Sequence, residues 1–225
     1  MAGHARQFFL AYPISNSLAS EGKQLINWVC CQRTRSEDDP DTTPPEKTSW
    51  TLEADKGPLI EAFANWSFGF LTVSDLVKAT ETVWEFPMSD RDPIPTWTDR
   101  RMTLMGDAAH PMLPIGGNGA TQSILDAENL AKHICSFNDV PAALKAYEQD
   151  RLPVTSNIVL ANRGKSNNEY VMELVHQRAP QGFDNIDNIV SREELASVGE
   201  KYRQMTGADK ARVNKLARET AAYPP

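Results

Sequence analysis

The chain has 225 residues, 40% of them hydrophobic and 24% charged, and its 23 Lys and Arg against 30 Asp and Glu give a formal net charge of −7. This length is enough for one large domain or two small domains with a buried core. The acidic balance argues against a nucleic-acid partner, because an extended nucleic-acid-binding surface needs clustered positive charge.

The three cysteines, Cys30, Cys31 and Cys135, are too few and too irregularly spaced for a disulfide framework or a zinc site. We therefore expect reduced thiols and no bound metal. The first residues, MAGHARQFFLAYP, lack the pattern of a signal peptide, and no apolar run reaches the length of a membrane span. These features predict a soluble, cytoplasmic protein with no membrane partner.

An antiparallel pair of strands is predicted near the start of the chain. Short runs rich in aromatic and β-branched residues lie at Arg6 to Pro13 and at Gly22 to Gln32. The segment SNSLASEG between them is rich in turn-forming residues, which favours a direct connection. The polar, proline-rich stretch from Arg33 to Thr48 is predicted to be an exposed loop.

Two short helices and a strand are predicted next. The first helix starts near Gly57, with Pro58 suited to the first helical position. The second runs from Ser74 to about Thr80. The run TVWEFPM, from Thr82 to Met88, favours a strand.

A further strand is predicted from Met102 to Met105. It is apolar at consecutive positions, which is typical of a strand covered on both faces in a parallel sheet. However, the rest of the chain does not alternate strands with helices, so it supplies no parallel neighbours for this strand.

Past Thr121 the chain is predicted to be almost wholly helical. An apolar stripe at helical spacing is formed by Ile124, Ala127, Ala131 and Ile134.

Three more helices are predicted after that stripe. One begins at Pro141 and should be kinked or broken by Pro153. Another runs from about Glu169 to Arg178. Ser191 with Glu194 has the spacing of a capping box, which predicts the start of the last helix.

The connection between the strand and the first long helix reads GDAAHPMLPIGGNGAT, from Gly106 to Thr121. Ligands of open α/β sheets gather beyond the carboxyl ends of strands, where Asp107 would lie and could accept hydrogen bonds from hydroxyl groups. The loop glycines allow a close approach of the backbone to a planar ligand. The following helix has no acidic residue in its first turn, so its amino end could hold an anion or a partial anion.

Plainer interpretations of the same residues stay open at this point. A glycine-rich loop can be a tight connection, and Asp107 can be a capping residue. His110 is interpreted as a packed or backbone-bonded histidine and not as a general base. The combination of these residues in one short stretch is what favours a ligand site.

At these residues the sequence resembles a known family, the FAD-dependent aromatic hydroxylases, which are single-component flavoprotein monooxygenases with the p-hydroxybenzoate hydroxylase fold. The stretch GDAAHPMLPIGGNGATQSILDAENLA looks like the second flavin motif of that family. Within the family, the sequence motif NGA–SILDAE and the later segment RAPQGFDNID most resemble the phenazine-carboxylate monooxygenase branch. Flanking segments that also look family-like are Tyr12-Pro13, Asp90–Pro93, Trp97, Ala146–Glu148, Arg151 and Leu160–Arg163.

The resemblance implies a role for each residue of the motif. Asp107 would contact the ribityl chain of FAD, with Gly106 allowing the close approach. Pro114 would lie beside the flavin ring, near the substrate. The pyrimidine edge of the ring would face Gly116, Gly117, Asn118, Gly119, Ala120 and Thr121. Tyr12 would belong to the sheet that covers the substrate, although a role in the core is the alternative for this aromatic residue.

The resemblance also implies a fold and a reaction. The fold class is α+β, as the C-terminal portion of a p-hydroxybenzoate-hydroxylase-like FAD/NAD(P)-binding fold. Residues 1–98 would be part of the substrate-binding β-sheet domain, residues 99–168 the C-terminal part of the FAD-binding domain, and residues 169–225 a helical segment. The reaction would be NAD(P)H reduction of FAD, followed by transfer of one oxygen from O₂ to a small aromatic substrate. No side chain is expected to act as a catalytic residue, because the cofactor carries the chemistry.

The family's first half, with its Gly-x-Gly-x-x-Gly unit for the adenosine and pyrophosphate, has no counterpart in this sequence. The chain is therefore expected to bind FAD weakly or not at all by itself. It is either the C-terminal part of a flavin monooxygenase or a truncated, non-catalytic relative that acts as a binding module. Either way, its partner would be a separate N-terminal half or a second copy of the chain in a homo-oligomer.

Overall fold

A computed structural model of the chain describes residues 1–4, 7–32, 49, 51–86, 88–164 and 167–206. The chain divides into two compact units, Met1–Met88 and Ser89–Pro225. Among the described residues, no helix combines the length and the apolar composition that a membrane crossing requires.

The first unit contains a three-stranded antiparallel sheet. Its strands are β1 (Ala2–His4), β2 (Gln7–Pro13) and β3 (Ile26–Gln32), in the order β1-β2-β3. The predicted antiparallel pair is confirmed, with Phe9 opposite Cys30 in the register. The predicted turn between the strands contains a five-residue helix, α1 (Asn16–Ser20). The loop predicted at 33–48 lies outside the described residues.

Two helices follow the sheet, α2 (Lys56–Ala62) and α3 (Val73–Ala79). Helix α2 starts earlier than predicted, because Asp55 caps it by accepting the Gly57 N–H at 2.9 Å. Pro58 is therefore the third helical residue, where its missing N–H still costs no intrahelical bond. The core of the unit is apolar and consists of Phe9, Phe63, Val73 and Val77.

The strand predicted from Thr82 to Met88 is wrong for the described residues of that stretch. They form a single antiparallel bridge, between Trp84 and Glu53. Two backbone hydrogen bonds flank it, from Ala54 N–H to Val83 C=O and from Glu85 N–H to Leu52 C=O, both 2.8 Å long. The pairing stops there because α2 begins at Lys56 and removes the partner backbone.

The second unit begins with a short antiparallel hairpin, β4 (Thr98–Asp99) and β5 (Met102–Thr103). The strand predicted from Met102 to Met105 is present but shorter than predicted. The strand has two residues, its described partner is antiparallel, and Met102 is 70% exposed. This exposure fits the lack of parallel neighbours in the sequence.

Four helices complete the described part of the second unit. They are α4 (Gly119–Ser136), α5 (Val140–Asn162), α6 (Asn167–Arg178) and α7 (Arg192–Thr206). The capping box is confirmed, because Glu194 N–H donates to Ser191 Oγ at 3.2 Å and Ser191 N–H donates to Glu194 Oε2 at 3.0 Å.

Helix α5 is the central element of the second unit. Of the predicted kink or break at Pro153, the break is wrong, because α5 runs through the proline as one helix of 23 residues. The Thr155 hydroxyl donates to Arg151 C=O at 3.1 Å beside the proline, and buried residues lie on both sides, with Tyr147 before it and Ile158 after it. Packing on both sides thus outweighs the one hydrogen bond that a proline removes.

Glu148 of α5 joins this helix to the hairpin. Its carboxylate accepts the N–H groups of Trp97 and Thr98 and the hydroxyl of Thr96. Burial alone would raise the pKa of Glu148, but these hydrogen bonds outweigh it and lower the pKa below its usual value. The start of the second unit is therefore fixed to α5 by one ionised carboxylate.

Candidate functional site

The site begins with a turn of 3₁₀ helix, Gly106–Ala108, that follows the hairpin. Gly106 is buried, has φ of 60°, and a Cβ built on it would lie 3.0 Å from Ser123 Oγ of α4. Only glycine suits both the backbone conformation and this close approach. Asp107, the next residue, is exposed. Within the part of the chain that the structure describes, its carboxylate makes no hydrogen bond or ion pair.

A second backbone turn, Ile115–Gly117, lies between Pro114 and the start of α4. Gly116 has φ of 81° and Gly117 has φ of 65°, both in the left-handed region. A Cβ built on Gly117 or on Gly119 would meet no atom of the described residues within 4 Å. At these two glycines the described part of the chain leaves room for a planar ligand.

The amino end of α4 is left without a side-chain cap. Asn118 occupies the N-cap position, but its side-chain amide donates to Gly116 C=O at 3.0 Å and does not cap the helix. No acidic residue lies in the first turn, where Ala120 and Thr121 are exposed. The free N–H groups and the positive end of the helix dipole are therefore available to a negatively charged group.

Ser123 of α4 contacts both the Gly106 turn and the first residue of its own helix. Its side chain lies against Gly106, and its hydroxyl donates to Gly119 C=O at 3.0 Å. The structure thus brings together the Gly106–Asp107 turn and the first turn of α4, which contain most of the predicted cofactor-binding residues. Tyr12, which was predicted to contact substrate, lies on β2 in the first unit and is 46% exposed.

Beneath the turn lies a buried polar cluster that the sequence analysis did not identify. Asp126 of α4 is fully buried, and its Oδ2 accepts the Gly106 N–H at 3.0 Å and contacts His110 Nε2 at 2.6 Å. Its Oδ1 accepts Arg151 Nε of α5 at 2.8 Å. Arg151 Nη2 also donates to Gln122 Oε1 at 2.8 Å. His110 is thus packed, as predicted, but its ring bonds to a carboxylate.

The cluster keeps Asp126 ionised. Burial by itself would raise the pKa of Asp126, but hydrogen bonds from His110, Arg151 and Gly106 outweigh it, and the pKa lies below its usual value. Burial also raises the pKa of the neighbouring Tyr147 phenol, with the Asp126 charge adding to the rise. A negative charge is therefore held next to the turn that carries Asp107.

The apolar stripe predicted on α4 faces outward. Ile124 is 69% exposed and Ile134 is 48% exposed, whereas Gln122 and Asp126 are fully buried. The sequence did contain a sign of this arrangement, because polar residues also recur at helical spacing on α4, at Gln122, Asp126, Asn129 and His133.

Comparisons with known proteins show which proteins the chain resembles. Residues 74–162 match the model of a family described as FAD binding domain. The phenazine 1,6-dicarboxylic acid hydroxylase PhzS of Lysobacter antibioticus is 42% identical over 160 residues, which are 71% of this chain and 38% of that protein. The 6-hydroxynicotinate 3-monooxygenase of Bordetella bronchiseptica is 37% identical over 112 residues, which are 49% of this chain and 28% of that protein.

The fold also has a solved counterpart. A salicylate hydroxylase substrate complex matches with a TM-score of 0.61 and 23% identity, over 91% of this chain and 46% of that chain. This chain thus spans less than half the length of these similar proteins. Over part of its length the chain is thus similar to hydroxylases and monooxygenases, and its residues 74–162 match the FAD binding domain family.

Proposed function

We propose that the chain is part of an FAD-dependent monooxygenase that hydroxylates a small aromatic substrate with NAD(P)H and O₂, in the cytoplasm. The observation that carries this proposal lies within the segment that matches the FAD binding domain family: among the described residues, no side chain caps the start of α4 and none pairs with the nearby exposed Asp107. The three free thiols suit a reducing compartment.

The residues around the two turns suit the isoalloxazine and ribityl parts of FAD. Asp107 would accept hydrogen bonds from ribityl hydroxyls, because its carboxylate is exposed and free. Gly116, Gly117, Asn118 and Gly119, with the amides of Ala120 and Thr121, would face the pyrimidine edge of the ring. When bound, FAD would supply the redox chemistry, taking up reducing equivalents from NAD(P)H and activating O₂. The amino end of α4 would stabilise negative charge on the reduced ring.

The substrate side of the proposal rests on the two remaining predicted residues. Pro114 is exposed next to the second turn, and Tyr12 is half-exposed on a sheet strand. In this proposal, residues 1–98 form part of the substrate-binding domain, residues 99–168 part of the FAD-binding domain, and residues 169–225 a helical segment. The substrate class would be aromatic acids, since the similar proteins include enzymes named for phenazine dicarboxylic acid and hydroxynicotinate.

A second candidate function is a non-catalytic module that pairs with another chain. The observation that favours it is the set of exposed apolar side chains in the second unit, where Met102, Met105, Ile124 and Ile134 are each more than two-fifths exposed. A partner chain that covered them would remove this apolar area from water, which is favourable. The partner would be a separate flavin-binding half or a second copy of the chain.

A flavin titration of the purified chain tests the first candidate. We expect weak, saturable FAD binding with a Kd of roughly 10⁻⁴ M. The binding is measured through the quenching of flavin fluorescence. Asp107→Ala should weaken it by about tenfold, whereas Asp99→Ala, which removes an exposed carboxylate of the hairpin, should leave it unchanged. Equal binding by both variants would contradict the assigned site. Tight, stoichiometric binding would contradict the expectation that this chain lacks most of the FAD contacts.

Sedimentation of the same samples tests the second candidate. If the chain is an interaction module, it should bind no flavin and should self-associate, or associate with a supplied flavin-binding half, through its apolar surface. Ile124→Ser combined with Ile134→Ser should then weaken the association. A monodisperse chain that binds flavin would exclude this candidate.

A further inference from the structure

The Gly106–His110 segment is held at both ends by one buried oxygen atom. Asp126 Oδ2 accepts the backbone N–H of Gly106 at 3.0 Å and the His110 ring nitrogen Nε2 at 2.6 Å. Asp107 lies between these two anchored residues along the chain and is itself exposed to solvent. The conformation of the turn thus depends on a residue 20 positions away from Gly106 along the chain.

We propose that Asp126 is a positioning residue, whose buried carboxylate fixes the Gly106–Asp107 turn against α4 and so aims Asp107 at its ligand. This inference rests on the proposed flavin-binding role of Asp107 and deepens it. Asp126 itself is fully buried and therefore does not contact the flavin.

The position of Asp126 is in turn set by α5. Arg151 donates through Nε to Asp126 Oδ1 at 2.8 Å and through Nη2 to Gln122 Oε1 at 2.8 Å. Gln122 and Asp126 are one helical turn apart on α4, so the guanidinium bridges two buried side chains of the same face. Charge-assisted bonds with planar donors are strong and directional, which leaves the carboxylate few other orientations.

His110 completes the anchor as a neutral donor. Its Nδ1 is buried and has no hydrogen-bond partner among the described residues. A proton on Nδ1 would be a buried, unsatisfied donor, so we assign the neutral tautomer with hydrogen on Nε2. The ring also packs beside Trp97, with the centroids 5.6 Å apart. The His110 ring therefore donates to Asp126 in one defined orientation.

The second unit contains a matched pair for comparison. Asp150 of α5 accepts His133 Nε2 at 2.8 Å and Asn129 Nδ2 at 3.1 Å, so its hydrogen bonds resemble those of Asp126. Its side chain is 52% exposed, and neither partner belongs to the Gly106–His110 segment. Asp150→Asn is therefore the control for loss of a carboxylate–histidine pair in the same unit.

A double-mutant cycle with Asp107 tests the inference. Asp126→Asn should weaken FAD binding by about tenfold in the wild-type chain and by less than about twofold in the Asp107→Ala chain. Asp150→Asn should change the affinity by less than about twofold in either background. A merely structural role of Asp126 would weaken binding equally in both backgrounds, and that result would overturn the inference. Residual binding in Asp107→Ala is measured with FAD near its solubility limit.

His110 supplies a second set of variants if Asp126→Asn fails to fold. His110→Phe keeps the ring but removes the donor, and should weaken FAD binding by about threefold. His110→Gln keeps a donor near the place of Nε2 and should restore the affinity. Equal affinities for His110→Phe and His110→Gln would overturn the inference.

Failure of the inference is distinguishable from failure of the proposed function. Absence of any flavin binding by the wild-type chain, or no effect of Asp107→Ala, overturns the proposed function and the inference with it. If Asp107→Ala weakens FAD binding but Asp126→Asn does not, only the inference is overturned and the proposed function stands.

Discussion

The two units of the chain bury different kinds of side chains. The first unit has an apolar core, in which Phe63, Val73 and Val77 are fully buried. The second unit fully buries apolar residues such as Ile158 and Val190, and it also fully buries the polar residues Gln122, Asp126, Thr155 and Asn162.

This difference explains why the second unit can hold a side chain for ligand binding in one defined orientation. Apolar contacts are not directional, so an apolar core tolerates substitutions of similar volume. A buried polar network is stable only when its donors and acceptors are paired, and it then allows one arrangement. The network around Asp126 lies directly beneath the turn that carries Asp107. The second unit is therefore expected to be more rigid at this turn and more sensitive to changes of charge.

Acid should have the largest effect, because it neutralises two carboxylates of the second unit together. The pKa values of Asp126 and Glu148 are lowered in the folded chain, so the unfolded chain takes up protons first as the pH falls. Their stabilising contribution is complete above about pH 5 and is lost progressively below about pH 4. Hydrogen exchange is measured at a series of pH values and corrected for the pH dependence of the intrinsic exchange rate. As the pH is lowered, the amides of α4 and α5 should lose protection at a higher pH than the amides of the first unit's sheet. Simultaneous loss in both units would contradict the comparison.

Arg151→Met should have the next largest effect. It keeps much of the side-chain volume but leaves Asp126 as a buried charge without its cationic partner, which should cost about 3–5 kcal/mol. The measurement is the free energy of opening of α4 and α5 from hydrogen exchange. Arg163→Met is the control, because this arginine pairs with Asp90 and Asp92 at the end of the same helix but is partly exposed. It should cost less than about 1 kcal/mol.

Phe63→Leu should have a smaller effect in the first unit. The residue is fully buried, but an apolar replacement of similar size in an apolar core should cost less than about 1.5 kcal/mol. The loss of stability is measured by urea unfolding, monitored through the hydrogen exchange of the amides of β2 and β3. A loss as large as that of Arg151→Met would break the comparison between the two cores.

Ile124→Ser should have the smallest effect on the isolated chain. Ile124 is 69% exposed on the outer face of α4, so the change should stay within about 0.5 kcal/mol. Ile158→Ser is the matched change at a fully buried position of α5 and should cost more than about 3 kcal/mol. Similar losses for both variants, in thermal unfolding, would show that the outer face of α4 is covered.

Local rules were enough to predict much of this chain. The strand pair, helix α3 and the helix from Asn167 to Arg178 follow from composition and periodicity, and the capping box at Ser191 follows from spacing. The motif from Gly106 to Thr121 was also recognisable, because glycines at positive φ and a helix start without acidic residues are sequence features. The resemblance to flavin-dependent hydroxylases followed from that motif, and residues 74–162 match the FAD binding domain family.

Tertiary packing decided the rest. The sequence of α4 contains both an apolar stripe and a polar stripe, and the structure buries the polar one, because Gly106, His110 and Arg151 supply donors from elsewhere in the chain. In the same way, α5 continues through Pro153 because buried residues anchor it on both sides. Propensity and spacing act over a few residues, so the sequence by itself determined most of the helices, the first strand pair and the glycine-rich motif. Which face of a helix is buried depends on distant partners, so only the tertiary structure decided the network that supports the site.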